Sequence, residues 1–315
     1  MTSRILVSDG LAEDGLAVLR LAGEVTVSPK ITPDDLLGVL PQYQALVVRS
    51  RTKVTRKIID AGINLKVIGR AGVGVDNIDV AAAMARGIAI VNCPIAATVA
   101  VAEHTLGLMI ALARQIVAAD ASMKQGKWDK SALMGVELYS KTLGLIGLGR
   151  IGAEVAKRAA AFAMRVVAYD PYLSAEQIRK RNAEPLAFEE LLAQADYLSL
   201  HLPLTSETRG LMGPAQFNRL KKGARLVCTA RGGVIDEDAL RYALDSGIVA
   251  AAALDVFANE PPLPGSIALH PKVIATPHIG AMTHEAQACA GVLIAEEVSA
   301  VLAGREPRFK VMSNE

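Results

Sequence analysis

Cysteine is scarce, with three residues in 315, at positions 93, 228 and 289. They stand far apart in apolar runs and form no CxxC pair, so neither a disulfide framework nor a zinc site is expected, and no other metal site is suggested. An excess of one charge is also missing: 34 basic residues face 32 acidic ones, a net +2. Such a balance gives no general electrostatic attraction to nucleic acid or to a membrane surface. Long hydrophobic runs are absent too. The most apolar stretch, Leu106 to Ala113, is too short to cross a bilayer, and MTSRILVSDG has no apolar core of a secretion signal. A reduced, cytoplasmic protein is the expectation. Internal repeats and low-complexity segments are lacking as well. What remains is an ordinary globular composition, 51% apolar, in a chain long enough for about two domains.

The chain is organised around Leu143 to Asp170, LGLIGLGRIGAEVAKRAAAFAMRVVAYD. A short apolar strand runs into Gly147, Gly149 and Gly152, which have GxGxxG spacing. The first glycine allows a tight turn, the second the approach of a pyrophosphate, the third close packing of helix on strand. From Arg150 the apolar positions Ile151, Val155, Ala159 and Phe162 recur at helical steps. The helix therefore aims its unpaired N–H groups and positive dipole end at the turn, where phosphates would sit, with Arg150 adding a formal charge. The next strand ends at Asp170, placed to accept hydrogen bonds from the adenosine ribose hydroxyls. A 2′-phosphate would meet that carboxylate unfavourably, so NAD is expected over NADP.

Before this unit, apolar runs at Ile5 to Val7, Ala45 to Val48, Leu65 to Ile68 and Ile88 to Val91 alternate with helix-compatible stretches such as Leu11 to Leu21 and Thr32 to Leu40, the rhythm of a parallel sheet. After it, strands are expected near Tyr197 to Leu200, Arg225 to Cys228, Ala251 to Val256 and Val273 to Ala275, with a helix from Glu237 to Ser246. The segment RAGVGVDNID, at 70 to 79, reads as a loop whose backbone N–H groups can hold a small anion. One long helix is expected from Ala96 to about Lys124. Leu108, Ile110, Leu112 and Ile116 cannot all face one core, so a contact with a second copy is expected there. His104, inside it, is read as structural, satisfied by a backbone partner. The last helix, Thr283 to Ala303, has Thr283 as N-cap and Gly304 as stop, and is expected to return to the first domain.

Ligands in parallel sheets bind beyond the carboxyl ends of the strands. Arg231, Glu260 and His278 each follow a strand of the second half. A neutral imidazole, with an unperturbed pKa of about 6.5, suits removal of a hydroxyl proton as hydride leaves the same carbon. That makes His278 the candidate acid/base. Glu260 can stabilise its imidazolium and fix its tautomer, and Arg231 can grip a carboxylate with two parallel hydrogen bonds. His201, after another strand, is the rival base or lines the cofactor site.

With these residues in place, the sequence resembles the D-isomer-specific 2-hydroxyacid dehydrogenases, and among them the phosphoglycerate dehydrogenases. The residues that carry the resemblance are VVRSRTKVT at 47 to 55, GRAGVGVDNID at 69 to 79, AEHTLGLMIALARQ at 102 to 115, SKTLGLIGLGRIG at 140 to 152 with Ser140 in place of the family's glycine, ARGGVIDEDAL at 230 to 240, AALDVFANEPP at 252 to 262 and TPHIGAMTHEAQ at 276 to 287. The resemblance implies an α/β protein of two Rossmann-like or flavodoxin-like parallel-sheet domains. An NAD-binding domain, 95–281, is inserted in a substrate domain made of 1–94 plus 282–315. It implies Arg231, Glu260 and His278 as the catalytic set, with Val73, Gly74 and Arg51 joining Arg231 and His278 in holding substrate. For NAD it implies Gly147, Gly149, Arg150, Ile151, Gly152, Asp170, His201, Pro203, Thr208, Thr229, Ala230, Asp255 and Gly280, with Asp255 near the nicotinamide carboxamide.

The implied reaction is oxidation of 3-phospho-D-glycerate, the first step of serine synthesis, in a homodimer or tetramer of the short form without a regulatory domain. Arg51, Lys53 or Arg114 of the partner subunit would meet the distal phosphate. Arg51 departs from the small residue common at its position, which leaves another small D-2-hydroxy acid such as sulfolactate, glycerate or lactate as the alternative. An NAD-sensing corepressor-like binding protein is the alternative of another class.

Overall fold

The computed structural model describes residues 2–312. The chain divides into two compact units, Met1–Ala97 with Ala281–Glu315, and Thr98–Gly280. Each is a parallel sheet with helices.

The first unit has five strands, β1 (Ser3–Val7), β2 (Gly23–Val27), β3 (Ala45–Val48), β4 (Val67–Arg70) and β5 (Ala89–Val91), in the order β2-β1-β3-β4-β5. Every pairing is parallel. The strands β1, β3 and β4 are nearly continuous apolar runs because helices cover both faces of the sheet. β2, GEVTV, lies at the edge and buries none of its residues, so it has no apolar run for the sequence to reveal. The helix His284–Leu302 packs on this sheet. Ile294 and Val298 share a core with Ile5, Val7 and Val67, and Thr283 caps the helix by accepting the Ala286 N–H. At the crossing with helix Glu13–Ala22, a Cβ on Gly15 would lie 2.4 Å from the Gly291 carbonyl oxygen, so the two backbones touch.

The second unit has seven strands, β6 (Thr142–Ile146), β7 (Arg165–Tyr169), β8 (Glu184–Pro185), β9 (Tyr197–Leu200), β10 (Ala224–Cys228), β11 (Val249–Leu254) and β12 (Val273–Ala275). Their order is β12-β11-β10-β9-β6-β7-β8, again all parallel. The order reverses between β6 and β9, which opens a crevice beyond their carboxyl ends. Two parallel α/β sheets of these orders, the flavodoxin and the Rossmann kind, are the expected fold class.

The expected single helix from Ala96 to Lys124 is two, Thr98–Arg114 and Ile116–Lys124, bent by 64°. Gln115 between them is left-handed, with φ +52°. The cause lies twenty residues on: Val136 N–H donates to the Ala113 carbonyl at 2.8 Å, and the Gln115 side-chain amide donates to the Met134 carbonyl at 2.8 Å. The first takes up the carbonyl that would have accepted the Val117 N–H of a continued helix, and the second ties the Gln115 side chain to the later segment. Leu108 and Leu112 are buried, whereas Ile116 is half exposed beyond the bend. Among the described residues no single helix is long and apolar enough to cross a membrane.

Candidate active site

The glycine turn sits at the reversal point of the second sheet. Gly147 has φ +86°, and a Cβ there would come within 2.4 Å of the His201 carbonyl at the end of β9. A Cβ on Gly152 would meet the Gly147 carbonyl at the same distance, which is the close fit of helix Arg150–Ala161 on its turn. At Gly149 a Cβ would meet nothing within 4 Å. Glycine is therefore not required there by the protein's own packing, and the open space fits a group from outside, as a pyrophosphate against the helix N-terminus requires. Asp170, at the end of β7, accepts the Leu148 N–H at 2.8 Å and the Tyr172 N–H at 3.0 Å, so its carboxylate is pinned to the rim of the turn. Arg150 opens the helix with its side chain exposed, and Ile151 follows, half-buried.

His201, just past β9, accepts or donates a hydrogen bond with the Ser199 hydroxyl at 2.9 Å. Burial drives its ring to the neutral form and its pKa from 6.5 down to about 4. Beyond it, the Thr208 hydroxyl donates to the Pro203 carbonyl at 2.6 Å and accepts the Thr205 N–H at 2.7 Å, closing the loop after β9. Thr229 and Ala230 follow β10. Both are buried, and the Thr229 hydroxyl is bonded to that of Thr105 at 2.9 Å.

Arg231, Glu260 and His278 all belong to this second unit, on the loops after β10, β11 and β12. His278 Nδ1 stands 2.8 Å from Glu260 Oε2, and the other Glu260 oxygen accepts the Phe257 N–H at 3.2 Å. Desolvation alone would raise the Glu260 pKa, but the hydrogen bond and charge of His278 outweigh it and the carboxyl stays below its usual range. An ionised carboxylate accepts a proton-bearing Nδ1, which leaves Nε2 of the neutral ring with its lone pair. Both side chains are well exposed, 47% for His278 and 38% for Glu260, so a small molecule can reach the ring. The Arg231 guanidinium donates to the Ala230 carbonyl at 2.7 Å, which fixes the start of its fork against its own loop.

The backbone of His278 is left-handed, φ +54°, an unusual state for a residue with a Cβ. It is held by Asp255, at the end of β11 and 1% exposed. The Asp255 carboxylate accepts the Ile279 N–H at 2.9 Å, the Gly280 N–H at 2.8 Å and the Thr276 hydroxyl at 2.6 Å. Burial opposes its charge, yet these bonds and His104 keep its pKa lowered. His104 Nε2 lies 3.2 Å from the Thr276 hydroxyl and 3.5 Å from Asp255. The expectation of a backbone partner for His104 is thus corrected. Its partners are side chains at strand ends far along the chain, contacts that no local pattern reveals.

In the first unit, the loop after β3 is organised by Asp9. Its buried carboxylate accepts the Arg49 N–H at 2.7 Å, the Thr52 N–H at 3.1 Å and the Thr52 hydroxyl at 2.5 Å, and pairs with Arg51 at 3.0 Å. Arg51 also donates to the Ser8 carbonyl at 2.5 Å and the Ile31 carbonyl at 3.2 Å. Sequence reasoning overlooked Asp9, although its place directly after the first strand is the same signal that singled out Asp170. In the loop after β4, the Val73 carbonyl accepts the Asn92 side-chain amide at 2.7 Å. The backbone N–H groups of Val73 and Gly74 have no partner among the described residues. Among those residues no cluster of potential metal ligands occurs.

A Rossmann sheet with an open glycine turn at its reversal point, and a histidine–carboxylate pair on neighbouring strand ends, defines a dinucleotide-binding α/β protein with acid–base equipment. Residues 106–280 match the model of the D-isomer specific 2-hydroxyacid dehydrogenase NAD-binding domain. The chain belongs to this family, and its cofactor is NAD. Over 302 residues, 96% of the chain, it is 51% identical to the D-3-phosphoglycerate dehydrogenase of Methanocaldococcus jannaschii, of which it covers 58%. The chain thus spans little more than half the length of that relative. The crystal structure of a glyoxylate reductase from Paecilomyes thermophila is 32% identical with a TM-score of 0.89, covering 100% of this chain and 99% of that one. That of D-lactate dehydrogenase from Aquifex aeolicus, complexed with NAD and lactic acid, is 27% identical with a TM-score of 0.84, covering 95% and 96%.

Proposed function

We propose that the protein oxidises 3-phospho-D-glycerate with NAD, and that His278 is its acid/base. The observation that carries the chemistry is the 2.8 Å bond from His278 Nδ1 to a Glu260 carboxylate held in turn by the Phe257 N–H. Nε2 of the neutral ring takes the substrate hydroxyl proton, and Glu260 stabilises the imidazolium that results. Arg231 grips the substrate carboxylate with its planar fork. NAD, when bound, supplies the hydride acceptor.

The choice of phosphoglycerate is supported by relatives of that name at 43 to 51% identity, from archaea, bacteria, a plant and an animal. The distal phosphate falls to Lys53 or to Arg114 of the partner subunit before Arg51, because the Arg51 fork is already spread over Ser8, Asp9 and Ile31. That same engagement favours a second reading, in which the substrate is an unphosphorylated D-2-hydroxy acid. We place the reaction in the cytoplasm and in serine synthesis, and the protein in a homodimer.

The test is NADH formation at alkaline pH with 3-phospho-D-glycerate beside D-lactate, D-glycerate and 3-sulfolactate. Turnover is expected on the phosphate ester, falling about 10²- to 10⁴-fold in kcat in His278→Ala. Turnover confined to another acid moves the substrate and keeps the base. Absence of turnover near 1 per second on every acid favours a binding protein that senses NAD.

A further inference from the structure

We infer that His104 is a positioning residue for His278, acting through Thr276 and Asp255. The inference deepens the proposed function, since it takes His278 as the base. The direction of the hydrogen bonds carries it. The Thr276 hydroxyl has one proton, and its 2.6 Å bond to Asp255 Oδ1 uses it, because a carboxylate can only accept. Toward His104, 3.2 Å away, Thr276 can therefore only accept, so His104 Nε2 carries a proton and donates. The sequence of donors runs from His104 to Thr276 to Asp255. At its end, Asp255 holds the Ile279 and Gly280 N–H groups, the two that follow His278. On the other side of the turn, His278 N–H donates to the Thr276 carbonyl at 3.0 Å.

Thr276 thus anchors both the backbone before His278 and the carboxylate that fixes the backbone after it. The left-handed φ of +54° at His278 is over-determined by these bonds, as an unfavourable conformation must be. His104 ties the assembly to helix Thr98–Arg114, whose Val101 and His104 side chains also pack over Gly280, at 3.5 and 3.7 Å from where its Cβ would stand. Without its donor, Thr276 keeps its bond to Asp255 but loses its tie to the helix, and the turn that aligns the His278 ring with Glu260 loosens. None of these bonds involves Arg231, so alignment of the base should suffer while the grip on substrate does not.

The experiment compares His104→Leu, His104→Gln and Thr276→Val. Glutamine places an amide donor near the position of Nε2, and leucine removes the donor at similar volume. His104→Leu should lower kcat about tenfold, leave KM for the 2-hydroxy acid within about twofold, and shift the ¹⁵N resonances of the His278 ring in the cofactor-free protein. His104→Gln should restore both readouts. Thr276→Val should reproduce the His104→Leu loss, and the double variant should lose no more than either alone. Wild-type kcat and His278 resonances in His104→Leu would overturn the inference, as would additive losses in the double variant. If His104→Leu does not fold, Thr276→Val decides by itself: wild-type kcat and His278 resonances in that variant overturn the inference. Failure of the base assignment itself would appear separately, as full activity in His278→Ala, while the ring resonances would still report whether His104 acts on His278.

Discussion

At the scale of single residues, position after a strand identified the candidate site, and environment decided the state of each group. His201 and His278 follow parallel strands of the same sheet and look alike in the sequence. One is desolvated and neutral, the other is exposed and faces a carboxylate. The His201 environment has a consequence for stability. Its folded pKa is about 4 against 6.5, so between these values the unfolded chain binds a proton that the folded chain does not. Stability from this group is complete above pH 6.5 and is lost as pH falls towards 4, by up to about 3 kcal/mol. Thermal melts at pH 7.5 and 4.5 should show a difference that narrows by a few degrees in His201→Gln. An unchanged difference would mean that the ring is hydrated when folded.

At the scale of elements, the glycine turn separates folding from binding within six residues. Gly147 and Gly152 are required by backbone 2.4 Å from their absent Cβ atoms, and Gly149 by nothing in the protein. Gly149→Ala should therefore keep the melting temperature within about 2 °C, since exposed substitutions with no clash cost little. Its affinity for NADH, followed by fluorescence titration, should fall at least about tenfold. Gly152→Ala should destabilise the protein, because the helix would have to move off its turn. A Gly149→Ala variant with wild-type affinity would place the pyrophosphate elsewhere. The elements that the sequence concealed share one cause, dependence on distant neighbours. β2 and β8 lie at sheet edges and lack a buried apolar run, and the break at Gln115 is made by Met134 and Val136. Ser140 likewise adopts φ +58°, with its N–H donating to the Ala163 carbonyl at 3.1 Å.

At the scale of the whole molecule, a near-neutral chain still carries an unpartnered apolar surface. Ile116, Val117, Met123, Trp128 and Met134 are 49 to 81% exposed, on helix Ile116–Lys124 and the segment after it. Exposed apolar side chains gathered in one stretch of the chain support the homodimer proposed above. Sedimentation should give twice the chain mass for the wild type and move toward the monomer in Val117→Ser with Trp128→Ser. A wild-type monomer at micromolar concentration would end that reading.

By itself the sequence determined two parallel α/β sheets, the register of the glycine turn, and the histidine, glutamate and arginine at strand ends. Each is encoded locally: by runs of apolar residues that must be buried on two faces, by glycines where a backbone must turn or be approached, and by polar residues placed just past the end of a strand. Only the tertiary structure decided that one expected helix is two, that Asp9 organises the loop after β3, that the Arg51 fork is engaged, and that His104 donates toward Asp255. These depend on partners from 19 to 172 residues away in the chain, which meet only when the sheets have ordered their strands.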